Sequence, residues 1–435
     1  MTTVAPPRAG RIPALLRDIE LSEPLPAIDA HGPDGRRAER AWLLVRLYTE
    51  PIGSLLLDLP EGGLAPAALA TAVDSAMGTE VRQRRASAGA AAVLGLAPPY
   101  LARRAELLRT APPLTVVVCT REHPAELARC LDSLLAQRYP RFRVLVVDNA
   151  PTSRATYEVA RQAAVKRGPV DYLVEPRPGL SQARNRAVAA CPGQTLAWID
   201  DDEVADPYWL SEIARALAEH PEADVVSGVI VPAELATDPQ LWFEQFGGHS
   251  KGRGFTPDLF SPATAHRQSP LYPLPPFGTG ANMTFRPGVI ERIGGFDPAL
   301  GAGMPAMGSE DTLAFTQVLR AGGTIVYQPS ALVRHYHRPD LASLHRQLVG
   351  YGTGLTAAYT SLVMADPRVA WPLLRLLPTA LRDLLGADSP RVAGLQPDFP
   401  RELLRANRAG MFRGPLAYLR GRRQNRAPRH RGRRP

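Results

Sequence analysis

Three aspartates and a glutamate follow directly on an apolar run in AWIDDDEVADPYWL, residues 197–210. Carboxylates this close repel one another, and their place at the end of a strand makes chemical sense if a divalent cation neutralises them. Oxygen ligands with room left for substrate phosphates suit Mg²⁺ or Mn²⁺. The plainer alternative is the acidic N-terminus of a helix beginning near Pro207, with Asp206 as cap and the other carboxylates in solvent. The segment by itself favours neither.

A second acidic pair, Glu310-Asp311, follows the loop GAGMPAMGS and opens the helical pattern DTLAFTQVLRAGG. A helix dipole favours carboxylates in the first turn, so capping alone would account for them, with Ser309 the simpler cap. Against that, a long Gly- and Pro-containing loop just before the pair resembles backbone that closes over a ligand. The strand TIVYQ comes next, then His335-Tyr336-His337. A histidine could reach the same sheet end as a metal ligand, although a lone histidine is more often structural.

These groups need a scaffold. From Leu114 onward short apolar strands alternate with amphipathic helices, the pattern of a layered α/β domain with a largely parallel sheet. The strand TVVVC ends at Cys119, and the helix opening with Pro124 places Leu127, Cys130, Leu131, Leu134 and Leu135 on one face. Further strands are predicted at Val144–Val147, Val170–Val174, Thr195–Ile199 and Asp224–Val231, with helices from about Thr152, Ser181 and Pro207. Such sheets bind ligands beyond the carboxyl ends of their strands. That rule singles out Thr120 and Arg121, Asp148 and Asn149, and Asp200 to Asp202.

The remaining chain sets the boundaries. Its 435 residues, 45% hydrophobic and 21% charged, exclude a fibrous or wholly disordered protein. Residues 1–38, rich in Pro, Gly and charge, read as a loosely ordered lead-in. Residues 39–110 read as a small α+β unit: a hairpin of Ala41–Leu47 and Ser54–Leu59 about a Pro-Ile-Gly turn, then an alanine-rich helix from about Pro66 to Met77. The site-bearing domain spans 113–338, a helical extension 339–400, and an arginine-rich, disordered tail 401–435. That tail carries twelve arginines and one glutamate, so the net charge of +9 resides there and residues 1–400 sum to −2. Three cysteines, Cys119, Cys130 and Cys191, are too few for a disulfide framework. With no run of eighteen apolar residues and no signal-peptide core at the N-terminus, a cytoplasmic protein is expected.

Six segments together carry a resemblance: TVVVCTREHPAELARCLDSLLAQRYPRFRVLVVD (Thr115–Asp148), GLSQARNRAV, WIDDDE, TGANMTFRP, IGGFD and GSEDTLAFTQVLRAGG. In this order and spacing the chain resembles inverting glycosyltransferases of family 2, over about Leu114 to Arg338. The resemblance implies the GT-A fold, a Rossmann-like mixed sheet flanked by helices. It implies donor binding by Thr120, Arg121 and Asp148 at the nucleoside, by Asp200 and Asp201 in the acidic motif, and by Arg184 near the donor phosphates or sugar. It places Mg²⁺ or Mn²⁺ on Asp202, with His335 as a further ligand and His337 as its competitor, and it makes Asp311 the catalytic base with Glu310 in support. The donor would be a nucleotide-diphospho-sugar. The hydroxyl acceptor, whether a glycan, a lipid-linked group or a small molecule, stays open. Such a transfer needs one base, with the metal offsetting charge on the departing diphosphate.

The Gln-x-x-Arg-Trp motif of processive synthases is absent after Asp311, where HRQLVGYGTG stands, so a single transfer is expected. A sugar-phosphate nucleotidyltransferase, the nearest competing enzyme, would need a glycine-rich basic loop after the first strand, and CTREHPAEL has none. From another class, a binding module could use the basic tail. Nucleic acid suits it poorly, because the arginines lack interleaved aromatics beyond Phe412 and Tyr418. Trp371, Leu374, Leu377, Leu381 and Leu385 ahead of the tail would suit peripheral contact with anionic membrane at its inner face, or else packing on the catalytic domain. Trp242, Phe243, Phe246 and Phe255 read equally as acceptor-stacking or core residues.

Overall fold

A computed structural model describes residues 11–250, 252–264, 271, 277–385, 395–396 and 399–426. Order begins earlier than residue 39. After β1 (Arg11–Ile12), strand β2 (Leu15–Glu20) pairs in parallel with β4 (Arg40–Leu47), and β3 (Arg37–Ala38) pairs with β1. Leu15 and Ile19 are buried, so part of the expected lead-in is a core strand. β5 (Glu50–Asp58) completes the antiparallel hairpin.

The turn is Tyr48–Thr49, with φ of 54° and 70°, and not Pro-Ile-Gly. Two left-handed residues match the twist of a two-residue hairpin, while Pro51 sits at a register irregularity, where its missing N–H does little harm. Helix α1 (Pro66–Val93) continues beyond Met77 through more alanine-rich sequence, kinking at that residue. α2 (Pro99–Arg109) leads to the second domain.

There, β6 (Leu114–Thr120), β7 (Phe142–Asn149), β8 (Val170–Glu175) and β9 (Leu196–Asp200) are parallel. The sheet extends through β13 (Asn282–Phe285), β11 (Val225–Pro232), β14 (Ile325–His335) and β10 (Glu203–Ala205), with β12 (Asp258–Phe260) also on β14. β13 runs antiparallel to both its neighbours, so this is a mixed sheet. Along β6, Val117 and Cys119 enter one apolar layer and Val116 and Val118 the other, as expected of a strand covered on both faces. The helices on those faces are α3 (Pro124–Leu135), α4 (Ala155–Arg167), α5 (Leu180–Ala190), α6 (Trp209–Glu219), α7 (Asp238–Gln245), α8 (Val289–Arg292) and α9 (Glu310–Arg320). This is the mixed, helix-flanked sheet expected of a GT-A domain.

The C-terminal extension comprises α10 (Leu341–Ala365), α11 (Ala370–Leu385) and α12 (Arg401–Arg426). Helix α12 corrects the expectation of a disordered tail; residues 427–435 lie outside those described. A Cβ on Gly352 would overlap the Asn407 carbonyl, and one on Gly414 would overlap Thr356, so glycines let α10 and α12 approach backbone to backbone. Across that seam Asn407 Nδ2 donates to Leu348 O at 3.0 Å and Thr356 Oγ1 to Met411 O at 2.7 Å. The seam supplies what arginine-rich composition alone could not. On α11, Leu373 and Leu376 face the domain while Trp371, Leu374, Leu377 and Leu381 face solvent, against the expectation that the latter pack inward.

Candidate active site

Parallel register sets Thr120 beside Asp148 and Cys119 beside Asp200, so the ends of β6, β7 and β9 finish side by side. Thr120 Oγ1 donates to Asp201 Oδ2 at 2.6 Å, and His123 Nδ1 lies 3.1 Å from the same oxygen. Asp201 thus braces the β6 end. Arg121 is exposed. Asp148 is buried; Tyr172 OH donates to its Oδ2 at 2.7 Å, while Oδ1 has no hydrogen-bond partner among the described residues. Burial pushes the Asp148 pKa up and the tyrosine pulls it back.

At the end of β9, burial raises Asp200 to about 6, with Arg184 opposing and the charges of Asp202 and Asp201 adding to the rise. Glu203 lies beneath it, accepting the Asp200 N–H at 3.1 Å, and burial lifts its pKa well above the usual range. Pairing of β10 with β14 sets Glu203 opposite His335, which brings Asp202 to the histidine. Asp202 Oδ2 lies 3.5 Å from His335 Nε2 and 3.4 Å from Arg338 Nη2. Burial works against its charge, yet the neighbouring His335 and Arg338 hold it well below the carboxylate range. His335 Nδ1 is 2.9 Å from His337 Nδ1, and His337 Nε2 is 2.8 Å from Glu244 Oε1 on α7. His249 joins them, its ring centroid 4.3 Å from that of His335.

Opposite stands the Glu310-Asp311 pair, on which the two carboxylates part company. Arg184 on α5 is 1% exposed; its Nη1 donates to Glu310 Oε1 at 2.7 Å, its Nη2 to Gly280 O at 3.0 Å, and Nη2 is 3.6 Å from Asp200 Oδ1. Glu310 is itself 5% exposed, and burial raises it to about 7 against the pull of Arg184. Asp311 is half-buried, with Oδ2 accepting the Gly280 N–H at 2.5 Å and Oδ1 the Thr312 N–H at 2.6 Å. Gly280 must be glycine, because a Cβ there would press on the Arg184 guanidinium. Ser309, at φ 65°, makes no side-chain cap, contrary to expectation.

Arg184, expected near the donor, is enclosed, and through its Nη groups it ties together the two acidic segments. Asp206, expected to cap α6, accepts the Tyr208 N–H at 3.0 Å and also Arg46 of the first unit at 2.6 Å. Trp242 and Phe243 are buried with Leu344, Leu348 and Phe399, and Phe246 and Phe255 pack on cores, so the aromatic cluster is core. Glu244, His249 and Gly280 escaped the sequence reading. Their only signal was a glutamate and a histidine five residues apart in an aromatic segment, and a glycine within the segment TGANMTFRP.

The glycosyl transferase family 2 model matches residues 115–294. Succinoglycan biosynthesis protein ExoM of Rhizobium meliloti is 30% identical over 241 residues, covering 53% of this chain and 69% of that protein. Glucosyl-dolichyl phosphate glucuronosyltransferase of Haloferax volcanii is 25% identical over 233 residues, covering 51% and 68%. A mannosyltransferase of Pyrobaculum calidifontis, solved with GDP-Man and Mn²⁺, shares 19% identity at a TM-score of 0.47 over 73% of this chain and 94% of its own, too loose a likeness to carry either ligand over. With strand-end carboxylates in the expected register and a relative covered over two thirds of its length, the chain belongs to glycosyl transferase family 2 and is a glycosyltransferase.

Proposed function

We propose that this protein transfers one sugar, with inversion, from a nucleotide-diphospho-sugar to an acceptor hydroxyl, using Mg²⁺ or Mn²⁺. The observation that carries the reading is the pairing of an accessible Asp311 with the crowded Asp200–Asp202 cluster across one buried arginine. The cluster fits a hard divalent cation: its carboxylate oxygens and one imidazole supply suitable ligands, and three adjacent carboxylates repel one another in a way a cation would relieve. Asp202 and His335 would hold that ion, which supplies charge neutralisation at the departing diphosphate. Thr120, Arg121 and Asp148 would line the nucleoside pocket, a role supported by Asp148 Oδ1, which accepts no hydrogen bond among the described residues.

Asp311 takes the acceptor proton. Its two backbone hydrogen bonds fix the carboxylate, whereas Glu310 is consumed by Arg184 and serves as support. A single base suits direct displacement. No helix among the described residues is long and apolar enough to cross a membrane, and the processive motif is missing, so a single addition is the expected outcome. Incubation with Mn²⁺ and a panel of nucleotide sugars, scored by donor hydrolysis, tests the reading. Metal-dependent turnover of one donor, lost in Asp202→Asn, is expected; equal turnover with EDTA rejects the metal.

A specific observation favours a lipid-linked acceptor. Trp371 is 60% exposed and Leu374 59%, on α11, which also carries Arg375 and Arg382, with Arg368 in the turn just before it. Such a face lies in a membrane interface, each arginine near anionic lipid contributing about 1 kcal/mol. The haloarchaeal relative's name specifies a dolichyl phosphate conjugate, chemistry of the same kind. The protein would then work at the cytoplasmic face, in keeping with three buried free cysteines.

A further inference from the structure

The reading that Asp202 and His335 hold the metal leaves a question it does not answer: which nitrogen of His335 has the lone pair. A neutral imidazole carries one N–H and one lone pair, and only the latter can ligate. Its neighbours decide.

Glu244 Oε1 accepts, so His337 Nε2, 2.8 Å away, bears hydrogen. The His337 ring is buried edge-on to Phe243, with centroids 4.8 Å apart, and as a neutral imidazole it has one N–H only. Its Nδ1 is therefore a lone pair. His335 Nδ1, 2.9 Å from it, must then be the donor. That leaves the lone pair of His335 on Nε2, facing Asp202 Oδ2 across 3.5 Å. Two acceptors facing each other across such a gap are groups that a shared cation would hold together.

We infer that Glu244 and His337 are positioning residues: through the chain Glu244–His337–His335 they fix the tautomer of His335, and so present Nε2 to the metal shared with Asp202. His249 lies against the His335 ring and limits its rotation.

A competing arrangement is a three-histidine site, because ligand nitrogens of His249, His335 and His337 lie within 4.8 Å of one another. Against it, the Nδ1 to Nδ1 distance of 2.9 Å is that of an ordinary hydrogen bond, which leaves His337 no free lone pair for an ion.

Two measurements test the inference on the full chain. Nitrogen NMR of ¹⁵N-histidine-labelled protein saturated with Mg²⁺ should show His335 protonated at Nδ1 and ligated through Nε2; a proton on His335 Nε2 overturns the inference. Mn²⁺ titration followed by electron paramagnetic resonance should give 10- to 100-fold weaker binding for Glu244→Leu, the usual effect of losing an outer-shell partner, and near wild-type binding for Glu244→Gln, whose carbonyl still accepts. His249→Ala should change affinity less than threefold; a loss as large as that of Glu244→Leu assigns the three-histidine site instead. Absence of Mn²⁺ binding, or binding untouched by Asp202→Asn, overturns the metal reading and this one with it. Binding lost in Asp202→Asn but unchanged in Glu244→Leu overturns this inference alone. The NMR measurement on unmodified protein stands even if the leucine variant does not fold.

Discussion

Replacing Arg184 by Met should expose what joins the two acidic segments. The substitution keeps the side chain's apolar volume but removes the partner of Glu310, a carboxylate 6% exposed at 2.7 Å from the guanidinium. Removing one member of a buried pair destabilises by about 3–5 kcal/mol, because the remaining charge has neither water nor a counterion. For a unit of this size each kcal/mol lowers the melting temperature by about 2–4 °C, so a fall of about 6–20 °C is expected in thermal unfolding.

The loss should depend on pH in a defined direction. Glu310 already stands near 7 with Arg184 present, against an ordinary 4.5, and without the arginine it rises further. Above the unfolded pKa, a folded chain that holds this proton loses stability as pH rises, because the unfolded chain has released it. Wild type and variant share that loss up to about pH 7, so the deficit should be level there and widen above it, where only the variant still holds the proton. Adding Glu310→Gln to Arg184→Met removes the charge, and the double variant should recover at least about 2 kcal/mol relative to the sum of the singles. A deficit that ignores pH, or a double variant as unstable as that sum, refutes the account of Arg184 as a charge tie.

Asp311→Asn should lower kcat by about 10²- to 10⁴-fold with donor affinity unchanged, measured by single-turnover transfer and donor titration; near-normal turnover removes Asp311 from the base role. Mn²⁺ affinity should rise with pH through about 6, roughly tenfold per unit below that value, as Asp200 releases its proton, and a flat titration between pH 5 and 7 contradicts this. Gly414→Val should separate α10 from α12 and lower the melting temperature by several degrees, since Thr356 fills the space a Cβ would need. Flotation with anionic vesicles at low salt should carry the wild-type protein but not Trp371→Glu/Leu374→Glu; equal flotation of both moves the contact elsewhere.

Legibility followed the range over which each signal acts. The apolar run ending at Asp200 is local, and one strand suffices to deliver three carboxylates to a sheet edge, so the acidic cluster was readable in the chain itself. The division of labour between Glu310 and Asp311 was not, because it depends on an arginine 126 positions away and on the Gly280 backbone between them. His335 could be singled out by its place after a strand, but its orientation comes from Glu244, 93 positions from His337. The arginine-rich C-terminus misled for a similar reason: composition reports solvation, whereas Gly410 and Gly414 act only against Val349, Thr353 and Thr356 of a helix some sixty residues earlier. The hairpin turn was displaced because Pro51 and Gly53 look like turn residues, and strand pairing overrode them.

The unit before residue 110 carries no catalytic group, yet it touches the site's foundation. Arg46 donates to Asp206 at 2.6 Å and to Asp18 at 3.0 Å, and the first of these pairs is nearly enclosed. Asp206 also accepts the Tyr208 N–H, and its carbonyl accepts Gln137 Nε2 at 2.6 Å. The turn from Asp200 to Asp206 is therefore held at one end by the sheet, at the other by the first unit, and from beneath by Glu203. Three adjacent carboxylates repel, and a flexible loop would let them swing into water. Fixing both ends keeps that repulsion in place, where a divalent cation can relieve it. The first unit thus acts on the site through the backbone that bears its acids, and that connection lies outside the stretch shared with the family.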